Sequence, residues 1–577
     1  MAEKFASDTL KKRYYHIREV RLDRETKIED GVLFLARDLC EKAFAQADHD
    51  LVLAMDLELV PGGDYGRYTD TILDVQPVAV KGPGASLGTG VTRCLSGVAV
   101  MICGKDEAGE QLSEAGSSEG TLYDHVCFGR PGSIDPGEAI VKINCLIRAG
   151  QRMTRPGPLS CHKAAEGIVS AIRRALASLP EEVFDKHVDC EETFPYDRRP
   201  GKPKVLLVRE MMGQGAMHEK LLLPVDPCGI VGARSDIEMG NLPLVVTPLE
   251  ALDGSVHALT CVGPASKETT RHYFRDPLVK AAMADEDIDL CGVAFIGSPA
   301  VSKNKFMVSG RLGAMARAMD IDGAIVATEG AGNNHIDFAA HMENIAGRGV
   351  PCVGVTYCGT RGPLITGNKY TKYLVECVKS PDGGPTNILS QNTATEEDAG
   401  VALSMLKALL RGEEIAPAPG HWDPAVRGEN LSGPPFRSEI AVAVRPPVVW
   451  SEVTKPLHKM RVALVTGTGV HLKSDQRFAL TSDSSFRVIP GDADTADMTV
   501  THGGYDNTDV LKDINSMFPI DRLRELAAEG IIGEVAPRHI GFMGGGGDLK
   551  RLLTETGPQV AAILKNDQVD AAVFTAS

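Results

Sequence analysis

From Lys204 onward one unit recurs in this sequence: a short run of β-branched or small apolar residues, a glycine-rich loop, and in several cases a stretch with helical spacing. The runs are Val205–Val208, Cys291–Ile296, Gly323–Thr328 and Val350–Thr356, and Arg311–Met319 is such a helical stretch. A strand that is apolar at consecutive positions must be covered on both faces, and crossover helices supply the cover. The pattern predicts an α/β fold of mainly parallel sheet covered by helices. In open sheets of that kind, binding and catalytic groups gather just beyond the carboxyl ends of the strands.

At 577 residues the chain is too long for one core, and its length suggests about two to four domains. The N-terminal part also alternates strand and helix patterns. Leu51–Leu59 and Gly97–Cys103 read as strands, and Ser160–Leu179 as an amphipathic helix stopped by Pro180. Eight prolines between positions 415 and 457, with both tryptophans, Trp422 and Trp450, break the rhythm. Such proline density makes an extended linker. Beyond it a second module begins at Met460. It reads as strand Arg461–Thr466, helices Asn507–Asn515 and Asp521–Glu529, and strand His539–Met543. A helix entered through Gly544–Gly547 and Asp548 follows, broken or kinked at Gly557-Pro558, and then strand Asp570–Thr575. The expected layout is an α/β part over 1–200, a second over 201–414, a Pro-rich linker over 415–457 and a separate α/β module over 458–577.

The formal charge of −16 argues against a nucleic-acid groove, because phosphate binding needs basic surface. No stretch approaches the about 18 apolar residues of a membrane span, and Met1–Val20 lacks an apolar signal core. All thirteen cysteines lie between Cys40 and Cys377 and read as reduced thiols rather than a disulfide framework. A cytoplasmic protein without nucleic-acid or membrane partners is expected. The cysteine-free remainder suggests two modules of different origin.

Familiar signatures are mostly missing. There is no C-x-x-C, H-E-x-x-H or G-x-S-x-G, and the spacing of Cys352 and Cys358 does not suit zinc, so no metal site is expected. Gly362–Lys369 (GPLITGNK) resembles a P-loop but lacks the G-K-[ST] ending. Gly467-x-Gly469 lacks the third glycine of a dinucleotide fingerprint. The Gly544–Gly547 run serves either a tight turn or an anion at a helix start. EGAGNNHID (329–337) is denser in function-bearing groups. It follows an apolar strand and gathers Glu329, Asn333, Asn334, His335 and Asp337 at a strand-to-helix loop, which suits a small polar ligand. In Thr260-Cys261-Val262-Gly263-Pro264 the thiol of Cys261 can attack the preceding carbonyl. Elimination and hydrolysis then leave a pyruvoyl group, an electrophile that takes up amines and acts as an electron sink.

Several long stretches carry a resemblance. HALTCVGPASKETTRHYFRDPL (257–278), GVAFIGSPAV (292–301) and DGAIVATEGAGNNHIDFAAH (322–341) resemble the pyruvoyl-precursor subunit of component B of glycine, sarcosine and betaine reductases. That resemblance covers about residues 14 to 415. RVALVTGTGVHLK (461–473), THGGYDNTDVLKDINSMFPIDRLRELAAEG (501–530) and HIGFMGGGGD (539–548) resemble the small selenoprotein subunit of D-proline reductase, over about 441 to 577. Both families belong to the selenocysteine-dependent reductases.

The resemblance implies an oxidoreductase that cleaves a carbon–nitrogen bond with a disulfide as the oxidised product. It implies self-cleavage between Thr260 and Cys261, with Cys261 becoming the pyruvoyl and Cys291 as second choice. It places a selenocysteine after a stretch like Val569–Ala576, so that residue is expected beyond Ser577 and the chain by itself is expected to be inactive. Glu329 and His335 become candidates for proton transfer or orientation. Arg271, Arg275, Asn333 and Asn334 become candidates for substrate binding, the arginines by bidentate pairing with a carboxylate. Expected partners are a small amino-acid or amine substrate, a thioredoxin-type donor or partner selenoprotein, and further subunits of an oligomer. The first half points to a glycine, sarcosine or betaine substrate and the second to D-proline. A non-catalytic amino-acid or amine binder is the alternative of a different class.

Overall fold

The structure is a computed structural model and describes residues 8–82, 84–109, 112, 119–151, 156–211, 220–222, 230–231, 238–240, 242–258, 268–299, 302–330, 334–356, 367–379, 386–415, 455–479, 483–502, 507–544 and 551–575. The chain divides into two compact units, Met1–Val444 and Arg445–Ser577. That division falls inside the proline-rich window, most of which lies outside the described residues.

The first two hundred residues supply most of two sheets. One runs in the order Val188–Tyr196, Asp8–His16, Gly90–Ser96, Ala79–Lys81, Ile230–Val231, and the other Val52–Val60, Ala139–Ile147, Val98–Asp106, Thr71–Gln76. Strand directions are mixed here: Val98–Asp106 is parallel to Ala139–Ile147 and antiparallel to Thr71–Gln76. Helix Pro156–Ala177 buries Ala164, Ala165, Ile168, Val169, Ile172 and Leu176 in the core that holds Val100, Ile102, Val141 and Ile143. The i, i+3, i+4 spacing of those apolar positions is what makes that helix one-sided.

Residues from Lys204 build a six-stranded sheet in the order Leu244–Val246, Asp289–Gly297, Lys204–Met211, Gly323–Thr328, Cys352–Thr356, Leu374–Glu376. All neighbours are parallel except Leu244–Val246. The pleat sorts the central strand into two layers. Val205 and Leu207 share a core with Leu278 of helix Pro277–Ala284 and Leu403 and Leu406 of helix Glu396–Leu410. Leu206 and Val208 share one with Leu312 of helix Ser302–Met319 and Phe338 and Met342 of helix Asn334–Ala346. The strands that follow Lys204–Met211 lie one on each side of it, which makes its carboxyl end the topological switch point of the sheet.

A buried ion pair ties this part to the N-terminal sheets. Lys81 Nζ donates to Asp253 Oδ2 at 2.6 Å, to Thr92 Oγ1 at 2.7 Å and to Thr89 O at 2.9 Å. Asp253 also accepts from Thr92 Oγ1 and from Gly88 N. Gly88 has a φ of +78°, and a Cβ there would lie 2.9 Å from Glu250 Cγ, so only glycine fits this approach.

In the second unit, Arg461–Thr466 pairs in parallel with Glu534–Val535 near its start, with Arg538–Phe542 near its end, and with Ala571–Thr575 along most of its length. Between the first two pairings the chain passes through Ala536-Pro537, and the N–H of Leu464 is taken by His539 Nδ1 at 2.8 Å. The helix expected to break or kink at Gly557-Pro558 and then resume widens there: Leu552–Thr556 is a π turn, and Gly557–Asn566 continues as α-helix. Proline lacks the N–H that a regular turn would use, and the wider turn accommodates the loss. No helix of the described residues is long and apolar enough to cross a membrane.

His539 predicts a pH effect. Burial, with Arg524 nearby, lowers its pKa to about 4, whereas in the unfolded chain it protonates near about 6.5. Its contribution to stability is therefore complete above that value and declines as the pH falls toward 4. His539→Leu should strand the Leu464 amide, costing about 1–3 kcal/mol at pH 7, and should flatten this part of the acid dependence. Denaturant titrations at pH 7 and pH 5 measure both effects.

Candidate functional site

Near its end, before Met211, the central strand Lys204–Met211 carries Arg209 and Glu210, adjacent charged residues that the pleat sends to opposite faces of the sheet. Both are buried.

On one face, Asn334 Nδ2 donates to Glu210 Oε1 at 3.3 Å, and His341 Nε2 lies 3.6 Å from Glu210 Oε2. Lys305 Nζ pairs with Asp337 Oδ2 and donates to Ser298 Oγ at 3.1 Å. Ser298 in turn donates to the same Asp337 oxygen at 2.6 Å. Burial, then the neighbouring Asp337, pushes Glu210 well above the ordinary carboxyl range. Burial, with Lys305 beside it, drives His341 down to about 3. His341 is accordingly neutral at pH 7. Glu210 Oε2, Asp337 Oδ1 and both ring nitrogens of His341 are buried without a hydrogen-bond partner among the described residues. Unmet polar atoms at that density are where a polar ligand or ordered water belongs.

On the other face, Arg209 Nε lies 3.1 Å from Asp276 Oδ2, Nη2 lies 3.7 Å from Glu268 Oε1, and the guanidinium stands 5.2 Å from the Tyr273 ring centroid. Glu329 follows the end of Gly323–Thr328. Its Oε2 accepts from Tyr273 OH at 3.0 Å and from the backbone N–H of Glu268 at 3.1 Å. Burial, then Arg209, holds His272 well below the ordinary imidazole range.

The two faces meet at the EGAGNNHID segment, which supplies Glu329 to one and Asn334 and Asp337 to the other. Gly330 permits the close turn between them, since a Cβ there would fall 2.4 Å from Asn334 Cγ. Of the sequence-predicted residues, Glu329, His335 and Asn334 are buried at this carboxyl edge. Thr260, Cys261 and Asn333 lie outside the described residues. The flanks of the Thr260-Cys261 segment are described, however, and both run into this interior. Ala258 N donates to Thr270 Oγ1 at 2.9 Å, and Glu268 N reaches Glu329.

Arg271 and Arg275 are placed differently from the two substrate forks that the sequence suggested. Arg271 makes a bidentate pair with Glu138, at 2.7 Å to each oxygen, and adds Asp135 at 3.1 Å. Arg275 Nη1 takes both oxygens of Asp135. Their charges are met by the chain itself, which binds helix Thr270–Phe274 to the segment around Glu138. Sequence reasoning missed Arg209, Glu210, Lys305, Ser298 and His341. A usable signal existed for the first two, because an apolar run that ends in two adjacent charges marks the polar rim of a buried strand. Lys305 carries no such mark, being one of two lysines in a helix that begins Ser302-Lys303-Asn304-Lys305.

The paired burial of Lys305 and Asp337 predicts strong coupling. Lys305→Met should destabilise the fold by about 3–5 kcal/mol by leaving the carboxylate unpaired. Lys305→Met with Asp337→Leu should recover much of that loss in thermal unfolding.

Comparison with known proteins adds two family matches. Residues 156–375 match the family described as glycine/sarcosine/betaine reductase component B subunits, and residues 428–577 match glycine/sarcosine/betaine reductase selenoprotein B. The chain is 47% identical over 423 residues to the D-proline reductase proprotein of Acetoanaerobium sticklandii, covering 73% of this chain and 66% of that protein. It is 61% identical over 141 residues to the D-proline reductase subunit gamma of the same organism, covering 24% of this chain and 58% of that subunit. Identity to the glycine reductase complex component B subunits alpha and beta of Peptoclostridium acidaminophilum is 25% over 365 residues, covering 60% of this chain and 79% of that protein. The chain thus spans just under two thirds of the first relative's length and less of the second's. No solved structure matches.

Proposed function

Because the chain belongs to the glycine/sarcosine/betaine/D-proline reductase family, we propose that it acts in the reductive cleavage of the carbon–nitrogen bond of D-proline. The observation that carries the choice of substrate is the identity of 47% and 61% to D-proline reductase chains, against 25% to a glycine reductase component. The sequence reading divided the two halves between glycine-type substrates and D-proline, and these identities favour D-proline.

The pyruvoyl proposed at Cys261 would supply an electron sink for the substrate nitrogen, and a selenolate a nucleophile for the α-carbon, with the two electrons coming from thiols. The residues around the described flanks suit that group. On the two sides of the nine intervening residues, Ala258 N donates to Thr270 Oγ1 and Glu268 N donates to Glu329 Oε2, and burial in this interior pushes the Glu210 carboxyl well above its ordinary range. In this reading Glu329 holds or moves the proton at the substrate nitrogen. Asn334 and His335 orient the substrate from the first turn of helix Asn334–Ala346, where Asn334 also donates to Glu210. Arg271 and Arg275 fix helix Thr270–Phe274 rather than the substrate carboxylate. In the second unit the carbonyl of Thr575 accepts from Gly467 N at 2.9 Å, so strand Ala571–Thr575 ends beside the Gly467–Gly469 turn. The selenocysteine implied by the family's description is proposed at that edge, with a thioredoxin-type donor and further subunits as partners.

Purified protein should resolve by intact mass into fragments of residues 1–260 and a downstream piece beginning at position 261. Cys261→Ala should remain whole. Borohydride in the presence of D-proline should trap that amine on the downstream fragment, and glycine should trap poorly. An uncleaved wild-type chain, or equal trapping of unrelated amines, would sink the reading. In the cleaved protein, assayed with its partner subunits and a dithiol, Glu329→Gln should lower kcat by about 10²-fold or more.

A further inference from the structure

A second polar cluster lies in the first unit and is not used by the chemistry above. Strand Thr71–Gln76 turns Asp74 and Gln76 to one side, two residues apart. Helix Pro156–Ala177 brings His162 to them, and His257 arrives from the segment that follows helix Pro248–Leu252. All four side chains are buried, none more than 1% exposed. One oxygen of Asp74 and one nitrogen from each histidine lie within 4.8 Å of one another.

As placed, Gln76 Nε2 donates to Asp74 Oδ2 at 3.2 Å, and the oxygen of the same amide is left without a partner among the described residues. His257 Nε2 faces Gln76 Nε2 at 2.8 Å, His162 Nδ1 at 3.2 Å and Asp74 Oδ2 at 3.7 Å. A ring nitrogen has one proton or one lone pair. With a lone pair it takes the Gln76 amide and offers nothing to Asp74. With a proton it meets the amide N–H head-on. Meanwhile Gln76 Oε1 is buried with no hydrogen-bond partner among the described residues. The orientation of an amide is an assignment, and turning this one over puts Oε1 where Nε2 stands. His257 Nε2, His162 Nδ1, Asp74 Oδ2 and Gln76 Oε1 then converge as four lone-pair donors, with the Gln76 atom 3.2 Å from Asp74 Oδ2. Donors held about 2.0–2.2 Å from a tetrahedral zinc stand about 3.3–3.6 Å apart, and the separations here, from 2.8 to 3.7 Å, bracket that spacing.

We propose that Asp74, His162, His257 and the carbonyl oxygen of Gln76 form a binding site for a divalent transition cation of the zinc class. Two imidazoles with oxygen donors in a closed, buried setting suit such an ion. Asp74 is also oriented from outside the site: Thr270 donates to Oδ1 from its backbone at 2.9 Å and to Oδ2 from its hydroxyl at 2.6 Å. Resting on the cleavage reading above, all four ligands belong to the upstream fragment, and Thr270 belongs to the downstream one. The cation would fix the chain three residues before the new carboxyl terminus while Asp74 keeps its grip on the partner fragment. Its role is to hold the fragments together.

The full chain, purified without chelator and then reconstituted with zinc or cobalt, should retain one equivalent by elemental analysis. The cobalt form should show the visible absorption of a tetrahedral site. His162→Gln and His257→Gln should each weaken binding by more than the about 10–100-fold that loss of an outer hydrogen-bond partner costs. Cys261→Ala should keep the metal, so failure of the cleavage reading and failure of the metal site register in separate measurements. Absence of stoichiometric metal after reconstitution of the wild type, or occupancy unchanged in both histidine variants, would overturn the proposal and leave a hydrogen-bonded histidine pair.

Discussion

The arrangement turns on one strand buried on both faces. Lys204–Met211 lies between two helical layers, so alternate residues face different cores, and whatever stands at its end is delivered to both. Arg209 and Glu210 stand there. Neither can remain charged in an apolar interior without compensation, and the surrounding loops supply it. Asp276 and Glu268 compensate Arg209, while burial pushes the Glu210 carboxyl above its ordinary range and Glu210 accepts from Asn334. Because the strand is also the switch point of the sheet, the crevice at its carboxyl end is lined from both neighbouring strands, by Ser298 on one side and Glu329 on the other.

The residues from Thr269 to Phe274 are governed by the same demand for partners. Thr270 is bonded to Asp74 and to Ala258, Thr269 Oγ1 donates to Gly132 O at 2.7 Å, and Arg271 is locked onto Glu138. Lys12 Nζ, buried 3.4 Å from the Phe274 ring centroid, donates to Phe274 O at 2.6 Å, and burial lowers its pKa to about 7. A five-residue helix has little stability of its own. Thr270–Phe274 is held instead by side chains that come from the N-terminal sheets, which is a physical reason for those sheets to share one compact unit with the α/β sheet.

Much of this was legible in the residues. The consecutive apolar runs marked four strands of the six-stranded sheet to within a few positions, because burial on both faces leaves an unambiguous composition. EGAGNNHID stood out because polar groups at a strand end are unusual unless used. The mixed sheets before residue 200 were less legible, since strand direction depends on which distant strand supplies the ladder. Arg271 and Arg275 read as free forks because their partners, Asp135 and Glu138, lie more than 130 positions away. The π turn before Pro558 escaped for a local reason: a proline can be absorbed by widening a helix as well as by ending it.

The sequence by itself determined the α/β class and the family, because these depend on composition, local periodicity and contiguous motifs. Tertiary structure alone decided which charges meet. Glu210 with Lys305 and Asp337, Arg209 with Glu268 and Asp276, and Asp74 with His162 and His257 each join segments far apart in the chain. Their protonation and ligating capacity come from shared burial, and burial is a property of the packed layers that no single segment carries.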